Sequence, residues 1–466
     1  MKKKEAIILS CVLVVLMMIS AVLAILVGNA GTKAKEAEEN KVETFAAWTE
    51  HDALSQVPAM LVEGSRIGEA FDVGSGNFLV DVEGTNLDDY NKYLKLLESE
   101  GYKKYVDNGK NGLVESIYAA TYIKDDITVS VTQIPSIGKT YIVAGEKQEL
   151  SPNLFYDNSY VKDNIPGAKT KLFLMELNEQ GNCLIVQLKN GHFIVSDSGA
   201  RLDVPYILDF LEAHAPEGQK PVIEALFFTH PHGDHASIMD YMVVKPEEAQ
   251  RIYVDGVYYN TPGKEAIDLD SSNRGTVQNI KVATSLFQAS TGGRAKLYRP
   301  QAGQKYYFND IQIDIVMAQE QIFPEQYFTD LNESSTISML HIDGQKVLLP
   351  GDSGAALLRA VMRSYSEAKE YFEMDVMVTY HHSFDTWSKF TDFCKADTLL
   401  ITREKIYEGP INQYLVDSVK ESYPYGEGSV ELTFPYNLGE AKILPKFERI
   451  YTNEDVYPAD TSAPVN

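Results

Sequence analysis

The sequence predicts an α/β protein: a large unit of buried strands joined by helices, a smaller α/β unit before it, and one apolar helix at the N-terminus. Three observations carry this. Short apolar runs at residues 222–228, 345–349 and 375–380 read as buried strands, and each runs into a tip or loop that carries His or Asp. Residues 68–147 alternate strand and helix patterns on a smaller scale. Residues 6–27 carry no charge at all.

Lys2, Lys3 and Lys4 precede that uncharged run, which is rich in Leu, Ile, Val and Met and long enough to cross a bilayer as one transmembrane helix. Basic residues before the helix favour an N-in, C-out orientation. The expectation is a single-pass cell-membrane protein with a cytoplasmic tail at residues 1–5 and the rest extracellular. The alternative is secretion after cleavage at Gly28-Asn29-Ala30, which has a small-x-small form. Residues 28–66, charged and rich in Ala and Glu, read as a stalk or linker.

Residues 67–148 form the smaller unit. Residues 78–82 alternate like a strand, and Asn86-Leu87-Asp88-Asp89 starts a helix with Tyr90, Tyr93, Leu94 and Leu97 on one face. Gly101 ends it, and strands follow at 117–123, 127–133 and 140–143. The acid pairs Asp88-Asp89 and Asp125-Asp126 fit cap and turn positions. With no chemistry of its own, this unit reads as an accessory domain.

The large unit spans residues 150–455, with a tail at 456–466. Strands are expected at 172–177, 182–188 and 192–197, the last ending in Asp197-Ser198-Gly199. A helix at 204–214 follows. The strand at 222–228 then feeds Thr229-His230-Pro231-His232-Gly233-Asp234-His235. Of nine His in the chain, three fall within residues 230–235. His230 and His232, two apart on a short loop, are placed to aim at one ion, and Asp234 and His235 at a second. Imidazole and carboxylate are ligand types that suit zinc, one or two ions, with manganese as the alternative. Further on, Asp343-Gly344 makes a tight hairpin turn into a strand ending on Gly351-Asp352. The two oxygens of Asp352 can bridge two ions. The strand at 375–380 ends on His381-His382, and a His at that tip completes the second ion's ligands. His192 and His214 have no partners in the pattern and read as structural.

The loop His230-x-His232-x-Asp234-His235 resembles the HxHxDH signature of the metallo-β-lactamase superfamily. The order Asp-x-Gly, HxHxDH, Gly-Asp and strand-His, across residues 170–440, resembles that of its fold. The resemblance implies a metallo-β-lactamase-like αββα sandwich for the large unit. The stretch Asn332-Glu333-Ser334-Ser335, the hairpin strand end Leu349-Pro350-Gly351-Asp352 and the pair His381-His382 are similar to the hydrolase domain of ComEC-type DNA-uptake proteins. There the motifs read Asn-Asn-x-Ser, Gly-Asp and His-His-Gly-Ser.

By this resemblance His230 and His232 hold metal one, Asp234, His235 and His381 hold metal two, and Asp352 bridges them. Asp197 supports the loop from behind, because metal-bound His needs an acceptor to fix its tautomer. Two departures stand out. Many family members give metal one a third His, whereas His341 lies mid-strand here, so Asn332 (or Asp330) is the weaker candidate for that place. Ser383-Phe384 follows the His pair instead of Gly-Ser. A water held by such ions loses its proton near neutral pH. Asp234 is the candidate to orient that water or relay its proton, and His382 the candidate donor to the leaving group.

A formal charge of −24 opposes non-specific binding to nucleic acid or anionic membrane, so nucleic acid enters only as a substrate. Residues 271–309 contain no acid, while Arg274, Lys281, Arg294, Lys296, Arg299 and Lys305 fall there, a candidate lining for a phosphate-bearing substrate. Cys11, Cys183 and Cys394 give no disulfide framework. The expected function is a membrane-anchored, extracellular metal-dependent hydrolase acting on a phosphodiester or another small molecule. The alternatives are the same fold cutting another ester, a lactone or a thioester, and a non-catalytic cell-envelope binding protein. Protein partners stay open.

Overall fold

The computed structural model describes residues 48, 52–178, 181–323, 330–383, 388–402, 413–424, 428–445 and 451–457. The expected transmembrane helix at 6–27, the tail before it and the last nine residues of the chain lie outside these. Among the described residues no helix is long and apolar enough to cross a membrane.

The smaller unit is one antiparallel sheet with one helix. Its strands are β1 (Arg66–Asp72), β2 (Asn77–Glu83), β3 (Lys103–Asp107), β4 (Tyr118–Lys124), β5 (Ile127–Ile134) and β6 (Lys139–Glu146), ordered β1-β2-β6-β5-β4-β3. Helix α1 (Leu87–Ser99) begins with a capping box: Asn86 Oδ1 accepts from the Asp88 and Asp89 amides, and the Asp89 carboxylate accepts from the Asn86 amide. Its apolar face, Tyr90, Tyr93, Leu94 and Leu97, covers Val80, Val82, Val129 and Val131 on one side of the sheet. The other side, with Leu79, Tyr141 and Val143, shares a core with the large unit.

The large unit has two sheets. The first contains β7 (Lys171–Leu174), β8 (Leu184–Gln187), β9 (Phe193–Ser196), β10 (Val222–Phe228), β11 (Tyr253–Val254), β12 (Gly256–Tyr259) and β13 (Lys296–Tyr298). The second contains β14 (Lys305–Phe308), β15 (Ile311–Met317), β16 (Ile337–Ile342), β17 (Gln345–Leu349), β18 (Glu373–Val378), β19 (Lys395–Ile401) and β20 (Glu421–Pro424). Two late strands, β21 (Val430–Thr433) and β22 (Lys442–Ile443), extend the first sheet beyond β7.

The strands alternate with period two, and both faces are apolar. Val186, Ile194, Phe227, Ile313, Leu340, Val347 and Val376 point between the sheets into one core. Their neighbours Ile185, Val195 and Leu226 face helices α2 (Val204–His214), α3 (Ser237–Val244) and α5 (Arg274–Ser290). The short helix α4 (Lys264–Leu269) precedes α5. Met339, Leu348 and Met377 face helix α6 (Ala355–Ser364) and the smaller unit. The layers therefore run helix, sheet, sheet, helix, with the smaller unit added to the last layer.

The two sheets share one plan. In the first, β7, β8 and β9 are antiparallel, and β9, β10, β12 and β13 are parallel. In the second, β15, β16 and β17 are antiparallel, and β17 to β20 are parallel. Loops leaving the carboxyl ends of parallel strands at such a switch are where α/β sheets collect functional groups. Here those loops follow β9, β10, β17 and β18, and carry Asp197, His230 to His235, Asp352 and His381-His382.

Candidate metal centre

β10 is buried to its last residue, so the chain leaves the core at Thr229 already fixed in position. Asp197, fully buried with φ 59°, accepts from the Thr229 amide at 2.9 Å and the Thr229 hydroxyl at 2.8 Å. The loop closes on itself through the amides of His235 and Ala236, both bonded to the His232 carbonyl. From the second sheet, Gly351 packs so tightly on Thr229 that a Cβ would come within 2.8 Å of it, and its φ is +58°. Only glycine meets both demands. The His381 amide bonds to the Gly351 carbonyl at 3.2 Å, joining the tips of β17 and β18.

Four donor atoms meet between these loops. Asp352 Oδ2 lies 3.3 Å from His235 Nε2 and 3.2 Å from His382 Nε2. The two Nε2 atoms are 3.2 Å apart, and His382 Nε2 is 3.4 Å from Asp234 Oδ2. Zinc holds N and O ligands at about 2.0–2.1 Å, so neighbouring ligands of a tetrahedral ion stand about 3.3–3.4 Å apart. The observed separations match that spacing. His230 joins from the other side: ligand atoms of His230, His235 and Asp352 all lie within 4.8 Å of one another, as do those of Asp234, His235 and His382. Nε2 of His230 is buried and has no hydrogen-bond partner, an orphan that an ion would satisfy.

The charges point the same way. Burial, and then the neighbouring His235 and His232, push His230 well below an ordinary imidazole. It is therefore neutral, the state a ligand needs. Burial works against ionisation of Asp352, yet His235 and His382 hold its carboxyl well below the usual range. Burial likewise disfavours charge on Asp234, but His235 and His382 pull its carboxyl below the usual range. His235 and His382 go up. Burial alone would lower both, but Asp352 and Asp197 raise His235 well above its ordinary value, and Asp352 and Asp234 push His382 up to about 9. The carboxylates thus favour protons on these imidazoles, and a divalent cation would compete with those protons.

Carboxylates outside the cluster orient its imidazoles. Asp197 Oδ2 sits 2.8 Å from His235 Nδ1, which leaves Nε2 to face Asp352. Asp270 Oδ2 sits 2.8 Å from His232 Nε2. Nothing in the sequence patterns singles out Asp270.

No protein-family model and no curated protein matches the chain. Among solved structures it is similar to Zn(2+)-bound PqqB from Methylobacterium extorquens. That match has 10% identity and a TM-score of 0.35, over 56% of this chain and 99% of that one. It is also similar to a Cronobacter sakazakii metallo-β-lactamase described by a HARLDQ motif. There the identity is 13% and the TM-score 0.25, over 42% of this chain and 66% of that one. Likeness this slight assigns no activity, and the site is read from its own residues.

Two sequence expectations change. His381, expected on metal two, lies outside the donor cluster, and His382, expected as a proton donor, occupies that place. The expectation extended strand alternation to residue 380. The strand stops at Val378, and His381 and His382 both turn left-handed, with φ 45° and 47°. Such backbone costs about 1–3 kcal/mol per residue and concentrates at functional sites. Most cations of the basic stretch are engaged with other groups. Arg274 pairs with Asp268, Arg294 with Asp255, Lys296 with Glu149 and Arg299 with Glu320, while Lys305 donates to the Gly112 carbonyl. Asn332 is buried with its Oδ1 lacking a hydrogen-bond partner, and its amide is capped by Asp330 Oδ1 at 2.9 Å. His192 and His214 lie away from the cluster, on Glu224 and the Phe210 carbonyl. His341, whose Nε2 meets Asp314, is also engaged elsewhere.

Proposed function

We propose that the chain is a metal-dependent hydrolase of the metallo-β-lactamase kind, zinc being the first candidate metal and manganese the second. The observation that carries this is the set of separations of 3.2–3.4 Å that link Asp352 Oδ2, His235 Nε2, His382 Nε2 and Asp234 Oδ2, as neighbouring ligands of an ion would stand. One or two ions there would supply a water acidified toward neutral pH and would polarise the electrophilic oxygen. Asp234, His235 and His382 would hold one ion, with Asp352 Oδ2 beside both imidazoles. His230 and Asp352 would hold the other; His232, which lies in neither donor group and whose Nε2 is taken by Asp270, would join through Nδ1, with Asn332 as a weaker contributor.

Asp234 differs from the other members of the cluster. Its side chain is 21% exposed, against 0% for His235, 1% for His382 and 6% for Asp352. It therefore reaches solvent while touching the cluster, which suits it to orient a water and pass its proton outward. His382, with Nε2 inside the cluster, is a ligand in this reading and not a proton donor.

The substrate class proposed is a phosphodiester. Its support is that two donor groups adjoin, His230 with His235 and Asp352, and Asp234 with His235 and His382, and paired ions suit in-line displacement at phosphorus. The membrane anchor and extracellular placement stay part of the proposal. The test uses the full-length chain purified without chelator, assayed on bis(p-nitrophenyl) phosphate, p-nitrophenyl acetate, a lactone and a thioester. Phosphodiester cleavage that disappears in Asp352→Ala supports the reading. Cleavage of a carbonyl substrate alone replaces the substrate class. No cleavage together with no bound metal leaves a binding protein.

A further inference from the structure

Asp270 stands 38 residues from His232 in sequence, yet the two side chains meet at 2.8 Å. We propose that Asp270 is a positioning residue for His232 and that the smaller unit holds it in place. This rests on the metal-centre reading above. An Nε2–H donated to a carboxylate fixes the tautomer and leaves Nδ1 as that ring's lone-pair donor. The His232 ring stands edge-on to His230, their centroids 4.5 Å apart, so both imidazoles occupy one side of the loop.

Asp270 is itself held. Its Oδ1 accepts from the Ser272 hydroxyl at 2.7 Å and from Asn273 Nδ2 at 3.1 Å. Asn273 Oδ1 in turn accepts from the Gly233 amide at 3.2 Å, in the middle of the His loop. One turn thus grips the loop at both His232 and Gly233.

The base of this strut lies on the smaller unit. Asp72, the last residue of β1, accepts from the Lys264 amide at 3.1 Å and from the Gly74 amide at 2.8 Å. Arg299, nearly buried, donates to the Val73 carbonyl at 2.7 Å and the Thr261 carbonyl at 3.1 Å, and pairs with Glu320 at 2.7 Å. Gly74, at φ +91°, lies so close that a Cβ would strike the carbonyl oxygens of Thr261 and Pro262. Helix α4 starts at Lys264 and ends one residue before Asp270. The β1–β2 turn of the smaller unit therefore fixes where α4 begins, and α4 delivers Asp270 to His232.

The test compares full-length wild type with Asp270→Ala, Asp270→Asn and Asp72→Ala. Zinc per chain is measured by mass spectrometry against a graded chelator. Cobalt-substituted spectra report ligand geometry, and circular dichroism melting of the metal-free chains reports folding. Asp270→Ala is expected to hold the weaker ion about 10–100-fold less tightly, with a changed cobalt spectrum. Asp270→Asn, which keeps an acceptor oxygen, recovers part of the affinity and carries the comparison if the alanine variant melts early. Asp72→Ala shows a smaller loss of the same ion. Wild-type affinity and spectrum in both Asp270 variants overturn the positioning role, and unchanged affinity in Asp72→Ala overturns the brace. Wild type that binds two ions beside unchanged variants sinks this inference alone. Wild type that binds none removes the metal-centre reading with it.

Discussion

His382 Nε2 lies 3.2 Å from Asp352 Oδ2, the end of β18 against the end of β17. The contact exists because two consecutive residues, His381 and His382, take left-handed backbone just past the strand. Removing each imidazole therefore has unequal consequences. His382→Ala is expected to lower metal affinity by at least 100-fold, through loss of one ligand and of the partner of two carboxylates. His381→Ala is expected to change it by no more than a few-fold. Metal titration of the two variants decides, and equal losses would return His381 to the ligand set.

The protonation of the cluster gives stability a pH signature. His382 stands at about 9, above its ordinary 6.5. A raised value means that its contribution to the metal-free fold is complete below about pH 6.5 and is lost as pH rises through about 9. Metal binding displaces those protons, so the stabilisation a metal adds grows over the same range. Melting temperatures with and without chelator, from about pH 6 to about pH 9, are expected to diverge. Parallel curves would contradict this.

Asp197 holds both His235 and Thr229. Asp197→Ala leaves the buried Thr229 amide unpaired, at a cost of about 1–3 kcal/mol, while the Thr229 hydroxyl keeps His230 Nδ1 at 3.1 Å. It also frees the His235 ring, for a further loss of about 10–100-fold in metal affinity. Denaturant unfolding of the metal-free chain and zinc titration separate the two effects.

The junction between the units is expected to unfold with the large unit, since Leu79, Tyr141 and Val143 share a core with Leu348 and Met377. Arg299→Ala leaves Glu320 buried without its cation, and breaking such a pair costs about 3–5 kcal/mol. A single denaturation transition moved to lower denaturant is expected. Two separated transitions in the unmutated chain would show that the units fold independently.

Much of this arrangement was legible in the sequence because its signals are local. An apolar strand ending in His230 to His235, a strand ending in Asp197 and another ending in Asp352 each place their groups within a few residues of a strand tip. The period-two alternation of residues such as Val347, Leu348 and Leu349 also fixes which face meets which layer. What was not legible depends on geometry that leaves no local trace. The choice between His381 and His382 turns on where β18 stops. Asp270 reaches His232 through a separate turn whose position depends on the smaller unit. The basic run at 271–309 looked like a binding surface because composition does not show partners. Glu149, Asp255, Asp268 and Glu320, all from outside that run, neutralise four of its six cations.

The cluster of Asp234, His235, Asp352 and His382 is expected to hold metal. The most direct measurement is zinc and manganese content, by mass spectrometry, of full-length chain purified without chelator, beside Asp352→Ala. The expected result is one to two ions per chain, falling to almost none in the variant. A chain that carries no metal even after zinc and manganese are supplied, or a variant that keeps its metal in full, would contradict it.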